Sequence, residues 1–176
     1  MVMETKRLTL RKFTPEDFDV VYEMYSDPET MTHYPKPYDE EMTKNWIAWN
    51  IQNYQDYGFG IWAVISKETG EYIGDCGITM QDIDGDWVPE IGYHIHKKCW
   101  RQGYGLEAAK AVRDWFFETR EFDSVYSYMK YTNVPSYSLA MANGMKKVKE
   151  YPEERHEKMS VYVITREEWE ALRGKE

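Results

Sequence analysis

Residues 90–109 read EIGYHIHKKCWRQGYGLEAA. The first half has the pattern of a strand. The second half sets two glycines, Gly103 and Gly105, at the head of an alanine-rich helix. N–H groups at a helix start lack intrahelical partners, and the helix dipole is positive there. Glycines remove side chains that would hold a phosphate away. Lys97, Lys98 and Arg101 add positive charge to the turn between strand and helix. Alone, the glycines suit any loop leading into a helix, and the basic residues suit a solvated turn. Strand, basic turn and glycine-led helix together predict an anion site.

Two nucleotide motifs compete for this stretch. A P-loop ends in Gly-Lys-Ser/Thr, which is absent. GYGLEA does match the dinucleotide pattern G-x-G-x-x-G/A, and Glu121 and Asp123 lie about 20 residues on. Its context is wrong. Seven residues separate Ile95 from Gly103, whereas a dinucleotide-binding strand runs almost directly into its first glycine. The acidic residues precede the next strand instead of ending it. The preceding strands are joined by tight turns, not by helical crossovers.

Working outward, FGIWAVIS, YIGDCGITMQDI and WVPEIGYHIH form a meander, with Asp84–Asp86 as a hairpin turn. RLTLRKF is an opening strand. Thr14, Pro15 and Asp17 start the helix that follows it. Residues 39–58 are a second amphipathic helix, closed by Gly58. In the helix after Gly103, Ala108, Ala111, Val112, Trp115 and Phe116 make the apolar stripe. SVYSYMKY is a strand and NVPSYSLAMANG a short helix. MKKVKEY and KMSVYVIT are strands, and Thr165 with Glu168 caps a terminal helix. The pattern predicts one α+β domain over residues 1–176, with a mostly antiparallel, twisted mixed sheet of six to seven strands flanked by helices.

The 176 residues are 42% hydrophobic and 16% aromatic, enough for a core. Net charge is −9, with an isoelectric point near 5.0, which argues against binding nucleic acid through a broad basic surface. Cys76 and Cys99 form no C-x-x-C pair, so packed, reduced thiols are expected. No apolar run reaches membrane-spanning length, and the first residues lack a signal-peptide core, so a cytoplasmic protein is expected.

These segments resemble the GNAT superfamily of acetyltransferases, in the RimJ/RimL-like branch. ETKRLTLRKFTPEDFDVVYEMYSDPETM resembles the branch's opening strand and helix. GEYIGDCGI resembles its third strand, and EIGYHIHKKCWRQGYGLEAAKA its acetyl-CoA motif. NVPSYSLAMANGMKKV resembles its N-x-x-S helix and the strand after it. The chain departs from the pattern at four positions. Arg101 stands where glycine is frequent, Lys97 where proline is, and Met145 where phenylalanine is. Ala140 stands where many members carry a tyrosine general acid.

The resemblance implies transfer of an acetyl group from acetyl-CoA, a co-substrate, directly to a primary amine. On that reading the peptide N–H groups of Arg101, Gln102, Gly103, Tyr104, Gly105 and Leu106 hold the pyrophosphate. The backbone of His94, Ile95 and His96 pairs with the pantetheine arm as an added strand, with Gly92 marking a bulge that frees the edge. An N–H near Ile95 polarises the thioester carbonyl. Asn133 binds the arm, as the family's asparagine does, although it also suits a helix cap. Glu90 is the candidate base for an amine of pKa about 10, or simply a strand carboxylate. Ser136 and Tyr137 are candidate proton donors to a thiolate whose conjugate acid has pKa about 8.5. Tyr34, in a loop between a histidine and a proline, is the candidate acceptor-binding residue. Tyr38, Trp46 and Trp49 share its segment, and Trp46 and Trp49 read more readily as core. His94 and His96 lie on one strand face without a third ligand, so no metal is expected. Asp82, Asp84 and Asp86 make an acidic hairpin tip.

The partner is then an amine acceptor: a protein N-terminus, polyamine, amino acid or aminoglycoside. Nucleic acid and membrane are not expected partners, and a homodimer remains open. Ala140 keeps a non-catalytic acyl-CoA-binding or regulatory protein as the alternative. A dinucleotide oxidoreductase is a third class.

Overall fold

The computed structural model describes residues 1–154 and 157–174. Its centre is the meander. β3 (Ile61–Ser66), β4 (Tyr72–Ile83) and β5 (Asp86–Ile95) pair antiparallel in sequence order. The β4–β5 hairpin forms because Asp84 and Gly85 both take positive φ, 56° and 89°. Gly85 N–H also donates to Asp82 Oδ1 at 2.8 Å. From Gly74↔Ile95 to Ile83↔Asp86 the register is uninterrupted. Gly92 therefore marks no bulge, contrary to expectation. It pairs directly with Gly77.

The opening strand β2 (Leu8–Arg11) pairs with β3, and a two-residue strand β1 (Met3–Glu4) lies outside it. On the other side of β5 come β6 (Ser124–Lys130), β8 (Glu157–Thr165) and β7 (Lys146–Glu153). The described residues thus form one eight-stranded sheet, ordered β1-β2-β3-β4-β5-β6-β8-β7. The pattern missed β1 because two residues carry no period. All pairings are antiparallel except β5 with β6, whose registered contact is the single pair Glu90↔Tyr126.

Alternate side chains of β3 feed two cores. Trp62 and Val64 pack towards α3 (Tyr104–Thr119). Ile61 and Ala63 pack towards α1 (Phe18–Tyr25) and α2 (Glu40–Asp56). A side chain such as Ile61 or Val64 contributes about 1.5–3 kcal/mol by leaving water. On α3 the buried stripe is Gly105, Ala108, Ala109, Val112, Phe116 and Phe117, with Arg113. The expected Ala111 and Trp115 are half-buried, on the flank of this stripe, while α4 (Val134–Ala142) also touches α3. Trp115 instead meets Trp62 edge-on, centroids 4.8 Å apart. α5 (Arg166–Arg173) closes the chain behind the Thr165–Glu168 capping box. No described helix is long and apolar enough to cross a membrane.

Candidate active site

β5 and β6 are in register only at Glu90↔Tyr126, and beyond it residues 92–94 of β5 and 127–130 of β6 line a common cleft. Two clefts lie here. One, of about 650 Å³, runs from α4 over the start of α3. The other, of about 500 Å³, lies among β5, β6 and the segment between α1 and α2. His33, Tyr34, Tyr93, His94, Asn133 and Ser136 line both, so the clefts meet there.

The edge of β5 at this junction follows from strand alternation. His96 N–H donates to Ile73 O of β4 at 2.9 Å. The peptide groups of Tyr93 and Ile95 therefore face the opposite edge. Ile95 O accepts there from Trp100 Nε1 at 2.6 Å. This corrects the expectation for the backbone of His94 and His96, whose peptides both face β4. The His96 ring is buried, accepting from Lys98 N–H and lying 3.6 Å from Glu23. The two histidines share a strand face but not a site. Among the described residues no cluster of three metal-binding side chains occurs.

The first cleft is lined by Arg101, Gly103, Tyr104, Gly105 and Leu106, as well as Ile95. Arg101 (φ 59°) and Gly103 (φ 80°) are both left-handed. Successive peptides in such a turn aim their N–H groups inward, ready for an anion. It also explains why a glycine would serve well at position 101. Gly105 is closely covered, since a Cβ would lie 2.9 Å from Leu139 Cδ1, which would have to shift. Gln102 does not face this cleft. Its side chain reaches back to Lys98 O, and its carbonyl accepts from Arg7. Lys97 is also turned away, paired with Asp27 and Glu29 at 2.9 and 3.0 Å. Of the basic patch, Arg101 remains at the cleft. The N–H-lined turn and the glycine-cleared helix start fit the pyrophosphate of acetyl-CoA.

Glu90 lines the second cleft. It is 9% exposed, and burial lifts its carboxyl to about 8. Trp46, Trp49 and Tyr38 line this cleft too. Trp46 also packs on Phe13 and Tyr25, while Trp49 is 40% exposed. Asp82 reaches the cleft, whereas Asp84 is paired with Lys149 at 2.9 Å.

On α4, Asn133 Oδ1 caps the helix by accepting from Ser136 N–H at 3.2 Å. Its amide nitrogen is the donor left for the junction. Tyr93 O–H donates to Ser136 O at 2.8 Å. Tyr137 lines neither cleft. One residue along a helix is a turn of about 100°, and this carries Tyr137 to β8, where it stacks on Tyr162 with centroids 6.4 Å apart. The expectation of Tyr137 as a proton donor at the junction is corrected accordingly. Ala140 is fully buried.

The sequence reading missed Asp75. It is fully buried on β4 and gathers Tyr25 O–H (3.0 Å), Tyr72 O–H (2.9 Å) and His94 Nδ1 (2.8 Å). Tyr34 O–H bonds the other ring nitrogen, His94 Nε2. An aspartate in a strand, opposite a histidine across the ladder, was the available signal.

Residues 7–146 match the acetyltransferase (GNAT) domain family. The chain is 35% identical over 142 residues to the uncharacterized protein YkkB of Bacillus subtilis (strain 168), covering 80% of this chain and 83% of YkkB. A crystal structure of an acetyltransferase from Agrobacterium tumefaciens str. C58 overlays with a TM-score of 0.80 at 30% identity, covering 92% of each chain. The acetyl transfer enzyme of Salmonella typhimurium that modifies the N-terminal serine of ribosomal protein L7/L12 overlays at 0.79. It is 13% identical and covers 93% of this chain and 98% of its own, a likeness of fold. The chain therefore belongs to the GNAT acetyltransferase family and is an acetyl-CoA-dependent N-acetyltransferase.

Proposed function

We propose that acetyl-CoA lies in the cleft over the start of α3, that a primary amine enters the cleft beneath Glu90, and that they meet between β5 and β6. The observation that carries this reading is the junction itself, where the two clefts meet and have six lining residues in common. Acetyl-CoA supplies the activated acetyl group. The N–H groups from Arg101 to Leu106 hold its pyrophosphate, with Gln102 contributing backbone alone. Tyr93 and Ile95, at the open edge of β5, pair with the pantetheine arm and offer an N–H to the carbonyl oxygen. Asn133 donates to the arm through its side-chain amide.

Glu90 takes the first proton from the ammonium. A carboxyl at about 8 is well matched to an amine near 10 and to neutral solution. The aromatic walls and Asp82 suit a cationic acceptor, whether a small molecule or a protein or peptide N-terminus.

Thermal unfolding with acetyl-CoA, CoA, NAD and NADP tests the first half. A ligand at about 100 times its Kd adds about 2.7 kcal/mol. Stabilisation by acetyl-CoA and CoA alone supports the reading, and stabilisation by a nicotinamide alone overturns it. CoA release with a panel of peptides, polyamines and aminoglycosides tests the second half. Binding of acetyl-CoA with no amine turned over would favour the non-catalytic alternative.

A further inference from the structure

We propose that Tyr34, held by His94 and Asp75, carries the proton from the amine nitrogen to the departing sulfur. The proposal rests on the acetyl-transfer reading above and adds a residue chain that spans α1, the loop after it, β4 and β5.

His94 Nδ1 has two neighbours, Asp75 Oδ1 and Tyr25 Oη, each at 2.8 Å, and the carboxylate sets the direction of the chain. Asp75 Oδ2 accepts from Tyr25 and Tyr72, and Oδ1 faces His94 Nδ1 at 2.8 Å. A carboxylate in that position takes the Nδ1 hydrogen, so Nε2 is the bare nitrogen. Tyr34 O–H donates to it. The phenol proton thus points away from the clefts, towards a group able to accept it. The phenol oxygen keeps its lone pairs for the junction. Tyr34 is 40% exposed and lines both clefts.

The other hydroxyls that line both clefts do not offer this. Tyr93 also lines both clefts, but its proton is bonded to a carbonyl, Ser136 O, which cannot take it. Ser136 Oγ sits 3.4 Å from the same Tyr93 hydroxyl and has no base behind it. Ala140 is buried without a hydroxyl, and Tyr137 faces β8.

The balance is as follows. The ammonium gives one proton to Glu90 and so to solvent. The N–C bond forms and the C–S bond breaks. The second nitrogen proton passes to Tyr34 Oη as the phenol proton passes to His94 Nε2, and Asp75 faces the resulting imidazolium. Return of that proton to Tyr34 lets the phenol protonate the thiolate. Tyr34, His94 and Asp75 end as they began. Tyr34 is the catalytic group, and His94 and Asp75 are positioning residues.

The test compares wild type with Tyr34→Phe and His94→Gln, using acetyl-CoA and whichever peptide, polyamine or aminoglycoside wild type turns over fastest. Both variants should lose about 10²-fold in kcat, with both KM values and the acetyl-CoA thermal shift within about threefold of wild type. Full kcat in Tyr34→Phe, or a loss confined to KM, overturns the relay and leaves the acetyl-transfer reading standing. No turnover by wild type overturns both. Nitrogen-15 NMR of the His94 ring in the unliganded protein gives a readout without activity. The Nδ1–H tautomer is expected, and Nε2–H overturns the relay whatever the kinetics show.

Discussion

Gly92 lies beside Glu90 so closely that a Cβ built on it would stand 3.3 Å from Glu90 Oε2 and 3.4 Å from Ile61 Cδ1. A methyl group there would press on the carboxylate, which would have to give by a few tenths of an ångström. Gly92→Ala should turn the carboxylate aside and lower kcat by about tenfold, a modest part of what acid–base groups contribute. Acetyl-CoA binding should be unchanged in a thermal-shift titration.

Glu90 should impose a pH dependence. A base acts when deprotonated, so kcat/KM should rise with pH and level off above about 8. Glu90→Gln should abolish that limb and cost about 10²-fold in kcat.

The same group bears on stability. Its folded value, about 8, is above its ordinary 4.5, so the folded state holds the proton more tightly. Stability from this carboxyl is present below 4.5 and declines as pH rises towards 8. Glu90→Gln should therefore be the more stable protein at pH 9, by roughly 3–5 kcal/mol, with little difference at pH 4. Urea unfolding at the two pH values measures this.

The loop before α3 is held from the far edge of the sheet. Glu107 accepts from Thr5 O–H (2.6 Å), Arg7 N–H (2.9 Å) and Arg7 Nε (2.6 Å). Arg7 also donates to Gln102 O and lies 4.4 Å from the Tyr104 ring centroid. Burial would raise the Glu107 carboxyl, but the bonds from Thr5 and Arg7 outweigh it and hold it below its ordinary value. Its stabilisation is present above about 4.5 and lost as pH falls through the lower folded value. Glu107→Gln should cost about 1 kcal/mol at pH 7, the pair being partly exposed. The cost should vanish in strong acid, as urea unfolding would show.

Trp100 is 44% exposed, yet its indole N–H is committed to Ile95 O at 2.6 Å. Trp100→Phe removes that donor at a cost of about 1 kcal/mol. Amide exchange across residues 95–100 should quicken, and the stabilisation by acetyl-CoA should fall.

Features set by near neighbours were legible. Thr14 N–H meets Asp17 Oδ2, and Thr165 pairs with Glu168, because a capping box closes over three residues. Asp84-Gly85 turns the hairpin by its own backbone preference. The turn at Gly103 and the helix start at Gly105 were legible, because φ and the lack of a Cβ are local properties. Directions around a helix were less legible. Ser136 and Tyr137 read alike as hydroxyls, yet one lines the junction and the other stacks on β8. Lys97 and Arg101 read alike as charges, yet Lys97 is held by Asp27 and Glu29.

The sequence by itself determined strands β2 to β8, the meander and the glycine-led helix start, since each follows from residues a few positions apart. Only the tertiary structure decided that β5 and β6 share a single parallel pair and beyond it line a common cleft. It alone brought Asp75, His94 and Tyr34 into one chain of hydrogen bonds. Alternation assigns a residue to a face but not to a neighbour. Tyr34 and His94 are 60 positions apart, and their contact is fixed only when the α1–α2 segment packs onto that face of the sheet.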